Sequence, residues 1–257
     1  MITSFIHSLQ GEFIKKRHTA ASWLVILSAL FMPGLVVFMQ FISFDDAYKI
    51  SHSGHTWAII YSRNWSAMGV FFLPLAIILF ASLMTNMEYK NNTWKQLHTT
   101  PQSLTTIFFT KFIVIMIMLV QLFVIFNIGM YLSGIIPSFV WKAVPFPEDF
   151  PFEKFMTGSF KFFIDCLPVV ALQYLMSLQF KNFIVPIGAG FAILIASLIA
   201  MNWNYGYIMP YTYSPMNFKE NQGKIDPSVN LHLWAIIYFV VFMIAAYILY
   251  IRKKEKG

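Results

Sequence analysis

Few side chains in this 257-residue chain could do chemistry, and most of them stand alone. Asp165 is the only acid well inside an apolar run, and an intramembrane carboxylate is by default a candidate for an ion or proton path. Lys161 lies one helical turn earlier, so an i,i+4 ion pair near a membrane boundary accounts for the same residue without transport. His52 and His55 share the sequence HSGH, a spacing that could hold a metal only with further ligands. Glu88 and His98 invite a hydrolytic or metal reading, but no H-E-x-x-H occurs and the six histidines are scattered. Gly129 and Gly134 have the glycine spacing of a phosphate loop, yet Ile135 follows where a lysine is needed. No nucleophile, base and metal-ligand constellation emerges, which counts against a membrane-embedded enzyme. A self-powered carrier would have to rest on Asp165 alone, without the paired charges or repeats such carriers show. Gln121, Asn127, Gln173 and Gln179 read as hydrogen-bonding residues between helices.

The elements that position these residues follow from composition. The chain is 58% hydrophobic and 11% charged, whereas a soluble domain averages about 25% charged residues. Stretches without charge run over Thr19–Phe44, Asn64–Met87, Phe112–Trp141, Asn182–Phe218 and Pro227–Ile251, and Phe160–Phe180 is interrupted only by Lys161 and Asp165. A helix needs roughly 20 residues to cross the hydrocarbon, so six spans are expected, at about 21–42, 67–87, 108–134, 159–180, 183–203 and 232–251. Helices are required because their backbone groups are satisfied internally and the runs do not alternate as barrel strands would. The expected fold is therefore all-α and integral to a membrane, with residues 1–257 forming a single transmembrane domain.

The net charge of +7 sorts by topology. With the N-terminus inside, six spans return the C-terminus inside, and Lys15, Lys16, Arg17, Lys90, Lys95, Lys111, Lys181 and Arg252–Lys254 fall on the inner side. Asp45, Asp46, Glu148, Asp149 and Glu153 fall outside. This is the positive-inside bias, and it removes the need for a nucleic-acid partner. Cys166 is the only cysteine, which excludes an intramolecular disulfide. The first apolar run begins near residue 20 and is long enough to be a retained span rather than a cleaved signal.

Ahead of it, Ile2, Phe5, Ile6, Leu9 and Phe13 recur at three- and four-residue steps, while Glu12, Lys15 and other polar residues fill much of the opposite face. Residues 1–19 thus read as an amphipathic helix at the inner interface, either a plain lipid anchor or a docking surface. Asp45–Ser66 reads as an outer loop, Ile136–Lys154 as an irregular interfacial loop, and NWNYGYIMPYTYSPMNF (residues 202–218) as a surface or re-entrant segment in the headgroup region.

The stretch MEYKNNTWKQLHTTPQS, Met87–Ser103, is the compact polar break between the second and third spans. Helix formers surround Lys95, and Thr100 before Pro101 has the order of an N-cap followed by proline at the first helical position. Trp94 and Leu97 would form an apolar knob on a polar platform, suited to a groove on a partner. A simple connector satisfies the same residues.

The pattern Glu88, Lys90, Asn91, Asn92, Thr93, Lys95, Leu97, Pro101 and Lys111 resembles the cytoplasmic loop of ABC-2 type transporter permeases, in particular the small-permease branch that includes lantibiotic-immunity exporters. GEFIKKRHTAASW (Gly11–Trp23), LQYLMSLQFKNFIVPIGAG (Leu172–Gly190) and, more loosely, the aromatic-proline stretch before the sixth span are similar to the same branch. The resemblance implies a multi-pass permease of the inner, cytoplasmic membrane that pairs with a second permease, identical or not. Two ABC ATPase subunits would sit beneath it and would bind the ATP and Mg, with no cofactor in this chain. Residues 88–100 would be the coupling helix, anchored by Trp94 and Leu97. The N-terminal helix, with Phe5, Leu9, Glu12, Phe13 and Lys16, would be a second contact. Family cargo is often an amphipathic peptide, a lipid or a polysaccharide moved outward.

Overall fold

The computed structural model describes residues 2–17, 19–90, 103–203, 205–220 and 229–253, with the side chains of 2–4, 88–90 and 220 outside that description. Every regular element among them is helical. In chain order these are α1 (Ile2–Lys16), α2 (Ala20–Ile42), α3 (Phe44–Ser51), α4 (Thr56–Ala67) and a π-helical turn (Met68–Phe72). There follow α5 (Leu73–Lys90), α6 (Leu104–Val140), α7 (Phe152–Gln179), α8 (Ile184–Ala200), a 3₁₀ turn (Gly206–Ile208), α9 (Tyr213–Glu220) and α10 (Leu231–Arg252). Four of the starts are fixed by side-chain oxygens on orphan N–H groups: Thr19 on Ser22, Ser43 on Asp46, Ser103 on Thr106 and Asn230 on Leu233.

Five helices are long and apolar enough to cross a membrane: Ala20–Ile42, Thr56–Met87, Leu104–Val140, Phe152–Gln179 and Leu231–Arg252. The chain is a multi-pass membrane protein. Helix α8, where a span over 183–203 is expected, has 17 residues, about 26 Å of helix against roughly 30 Å of hydrocarbon. It stops at Ala200, where turns begin (Trp203 N–H to Ala200 O, and the 3₁₀ turn Gly206–Ile208), and Tyr211 and Tyr213 are then buried in the bundle. The second long helix starts at Thr56, well before the expected 67, so the outer loop over Asp45–Ser66 is mostly α3 and α4. Its polar residues are accommodated in place: Arg63 pairs with Asp46 through both guanidinium nitrogens at 2.5 and 2.9 Å, and buried Asn64 donates to Ile60 O and Ser133 Oγ. Helix α6 has 37 residues, about 55 Å, and outruns the hydrocarbon.

The chain enters and leaves alternately, so the ends of α5, α7 and α10 lie with α1 at what we call the terminal end. The starts of α4, α7 and α10 lie at the opposite end. Helix α7 packs against α5, α9 and α10, while α2 packs along α6. The core is aromatic: Trp65 stacks on Phe162 with centroids 3.9 Å apart and planes 6° apart. Gly69 permits this approach, since a Cβ there would stand 2.9 Å from the Phe162 ring.

Candidate functional site

Three polar clusters interrupt the apolar packing, and each joins elements that are distant in sequence. At the terminal end, α5 carries Glu88 and Lys90 on its last turn. Asn91, Thr93, Trp94, Lys95, Leu97 and Pro101 lie outside the described residues. The helix described next begins at Leu104 with extended Ser103 as its cap (φ −71°, ψ 145°); the Thr100 cap and Pro101 start expected from sequence lie outside the described residues.

Beside that start lies α1. Its residues Ser8, Glu12 and Lys16, spaced by four, share one face and are buried. They meet α6 in order: the Ser8 and Thr110 hydroxyls are 3.3 Å apart, Glu12 Oε2 is 4.0 Å from Lys111 Nζ, and Lys16 Nζ donates to Gln121 Oε1 at 2.7 Å. The contacts advance along both chains, so α1 leans along α6 in the same sense. Lys15 closes over Glu12 at 2.6 Å. Burial pushes the Lys16 ammonium below the ordinary lysine value, and the same ammonium lies 5.2 Å from the Phe13 ring centre. Of the expected anchors, Glu12 and Lys16 face protein, Phe5 and Leu9 are half-buried, and Phe13 is exposed. The partners Ser8, Thr110, Lys111 and Gln121 were not singled out for this contact. The signal for Ser8 is its repeat of four with Glu12 and Lys16, on a helix whose apolar repeat is easier to see.

The second cluster surrounds Asp165, whose side chain is fully buried. Oδ2 accepts from Asn217 Nδ2 at 2.6 Å and Oδ1 accepts from His232 Nδ1 at 2.7 Å. Lys161, the expected partner, is exposed and makes no ion pair with it. The carboxylate instead cross-links α7, α9 and the first turn of α10. Two charge-assisted hydrogen bonds offset much of what burying the charge costs. His232 is 67 residues away in sequence, and no local pattern announces it.

The third cluster is built on Gln173 of α7, which is completely buried. Its Nε2 donates to Ser82 Oγ at 2.6 Å and to Pro186 O at 2.8 Å, and its Oε1 accepts from Tyr211 OH at 3.3 Å. Gly190 leaves the room, because a Cβ there would collide with Oε1. A related device sits at the π-helical turn. Leu73 N–H bonds to Met68 O, so in that register the next donor, for Gly69 O, would be residue 74, which is proline and has none. Ser214 Oγ of α9 supplies the bond at 2.6 Å. Tyr211, Ser214 and Asn217 thus pin the connector between α8 and α10 to Gln173, Gly69 and Asp165.

What these arrangements can do is hold helices together and pass displacement between them. Among the described residues no three His, Cys, Asp or Glu side chains converge as a metal site. His52 of the HSGH pair places Nδ1 2.9 Å from Tyr48 O and stacks on the Tyr48 ring. A family model described as "ABC-2 family transporter protein" matches residues 8–197. No curated protein matches the chain.

Proposed function

Because the chain belongs to the ABC-2 transporter family, and is thus a membrane component of an ABC transporter, we propose that it is the subunit that converts ATP-driven motion into export. The excess of Lys and Arg at the terminal end supports placing that end in the cytoplasm. Helix α8, with the pinned connector behind it, serves as a sixth, incomplete crossing. The cargo is an amphipathic peptide, a lipid-like molecule or another hydrophobic substrate, in the manner of the lantibiotic-immunity branch. The motor is a pair of ABC ATPase subunits that bind ATP and Mg, and the membrane partner is a second permease, identical or different.

The observation that carries the coupling reading is the lock between α1 and α6. Thr110, which meets Ser8, lies seven residues beyond Ser103, about 10 Å along the helix. Any force applied through residues 91–102 enters α6 at Ser103 and meets α1 within two turns. A lever needs such a stiff connection, and a mere turn does not. The carrier reading is weaker than the sequence alone suggests, because both Asp165 oxygens are occupied by protein donors.

The test is purification of the tagged chain from its native membrane in mild detergent, with mass spectrometry of its companions. A stoichiometric subunit carrying a Walker A motif, lost on Trp94→Asp or Leu97→Asp while the permease still folds, is the expected result. A chain that runs alone, or an ATPase that stays bound to both variants, would overturn the assignment of residues 88–100 as the lever.

A further inference from the structure

At the opposite end a cleft of about 970 Å³ opens between the first turns of α4 and α7, with Phe218 of α9 on its wall. Its floor is aromatic. Trp57 and Phe155 are buried edge to face, and the Tyr61 ring lies 5.0 Å from that of Phe155. The Tyr61 hydroxyl has no hydrogen-bond partner among the described residues. The rim carries Asp149, Glu153, Lys154 and Lys161, and none of these four is in an ion pair or hydrogen bond there. Glu148 differs: its Oε1 accepts from Trp57 N–H and its carbonyl from Trp57 Nε1 at 2.6 Å, so it clasps α4 and is not available to a ligand.

Two unpaired carboxylates and two unpaired ammonium groups over an aromatic floor form an unusual lining. Left apart around a cleft, they complement a ligand that carries both signs. The location narrows the ligand further, because two apolar membrane-crossing helices begin here, at Thr56 and Phe152. Starts of such helices fall towards the headgroup region, where aromatic side chains gather. We propose that this cleft binds the headgroup of a zwitterionic phospholipid with a primary amine, such as phosphatidylethanolamine. The amine donates to Asp149 and Glu153, the phosphate accepts from Lys154, Lys161 and the Tyr61 hydroxyl, and the glycerol region rests on Trp57 and Phe155. A trimethylated amine has no N–H to give the carboxylates, and an anionic headgroup has no cation for them. The proposal depends on the chain spanning a membrane and not on the identity of its motor or cargo.

The experiment is native mass spectrometry of the full chain in detergent, after incubation with an equimolar mixture of phosphatidylethanolamine, phosphatidylcholine and phosphatidylglycerol. The wild type is expected to retain phosphatidylethanolamine over phosphatidylglycerol by about tenfold, the scale of one charge-assisted hydrogen bond. Glu153→Gln combined with Lys161→Gln should abolish that preference with unchanged helix content. Should the double variant not fold, the single variants and Tyr61→Phe must each reduce the preference. Equal retention of the three lipids, a preference for phosphatidylglycerol, or a preference untouched by these variants overturns the proposal. Displacement of the lipid by a cationic amphipathic helical peptide, with no lipid preference of its own in the wild type, would assign the cleft to a peptide instead. Loss of ATPase association in the separate lever test would leave this result unchanged.

Discussion

Replacing Ser214 by alanine removes one hydroxyl from beside a carbonyl that has no other donor. The orphan is created by Pro74: the π-helical turn directs Leu73 N–H to Met68 O, and Pro74 cannot supply the bond that would follow, to Gly69 O. Ser214 is 2% exposed, so water cannot take the place of its hydroxyl. A buried acceptor left unsatisfied costs about 1–3 kcal/mol, while side-chain hydrogen bonds measured in membrane proteins average about 0.6 and reach about 1.7 kcal/mol. Gly69 has no alternative donor within its own helix, which places Ser214→Ala near the upper membrane value, about 1.5 kcal/mol. For a chain of this size that corresponds to a fall in Tm of roughly 3–6 °C. Thermal unfolding in detergent, followed by tryptophan fluorescence at a fixed scan rate, would read it.

The decisive arm is the background. Pro74→Ala restores a backbone N–H, and Gly69 O then finds a donor whether the turn stays π-helical or relaxes to α. In that background Ser214→Ala should cost less than half of its value in the wild type. An equal cost in both backgrounds would refute the reasoning, because it would mean that Ser214 acts through packing and not through the proline's missing donor.

Three further outcomes follow, two of them from the same network. Gly190→Ala drives a methyl group into Gln173 Oε1 and to 3.1 Å from Ile78 Cγ2; an overpacking cost of about 1–3 kcal/mol is expected, and Gln173→Ala in the same chain should recover part of it in the same thermal assay. Asp165→Ala strands the Asn217 amide and the His232 ring, for an expected loss of about 3–5 kcal/mol, whereas Lys161→Ala should be close to neutral; equal losses would contradict the cross-link. The pH response of α3 should follow Asp46, whose carboxyl is held below the usual range first by its hydrogen bond from Arg63, against burial, with the Arg63 and Lys49 charges adding. Its folded value lies below its unfolded one, so the stabilisation is complete above about pH 4 and disappears as pH falls through the folded value. Asp46→Asn should therefore match the wild type in strong acid and be less stable at neutral pH, as unfolding midpoints across that range would show.

The membrane class and helical nature were legible in the sequence because lipid imposes them on any long uncharged run. The helix ends were legible only where a cap or a breaker lay close by. A charge-free criterion cut the second long helix short at Arg63, since the ion pair with Asp46 that admits it is tertiary. The same criterion made Asn182–Phe218 look like ample length for a full crossing. The division of that run is set instead by Tyr211, Ser214 and Asn217, whose partners lie 38, 145 and 52 residues away. Asp165 shows the bias clearly: Lys161 was visible as a neighbour on the same helix, and His232 could not be.

The N-terminal helix makes the physical reason explicit. In water an apolar stripe turns toward protein, and the sequence offers Phe5, Leu9 and Phe13 beside Glu12 and Lys16 as contacts of α1 without ranking them. Next to lipid that preference loses its force, because hydrocarbon solvates an apolar side chain as well as a protein interior does. Phe13 and Ile14 are accordingly exposed, while the stripe of Ser8, Glu12 and Lys16 turns inward, since only protein can satisfy it away from water. In such a chain the periodicity worth reading for contacts is that of the polar residues. Read that way, the repeat of four from Ser8 to Lys16 marks α1 as a helix seated on Thr110, Lys111 and Gln121, with Ile6, Phe13 and Ile14 left exposed.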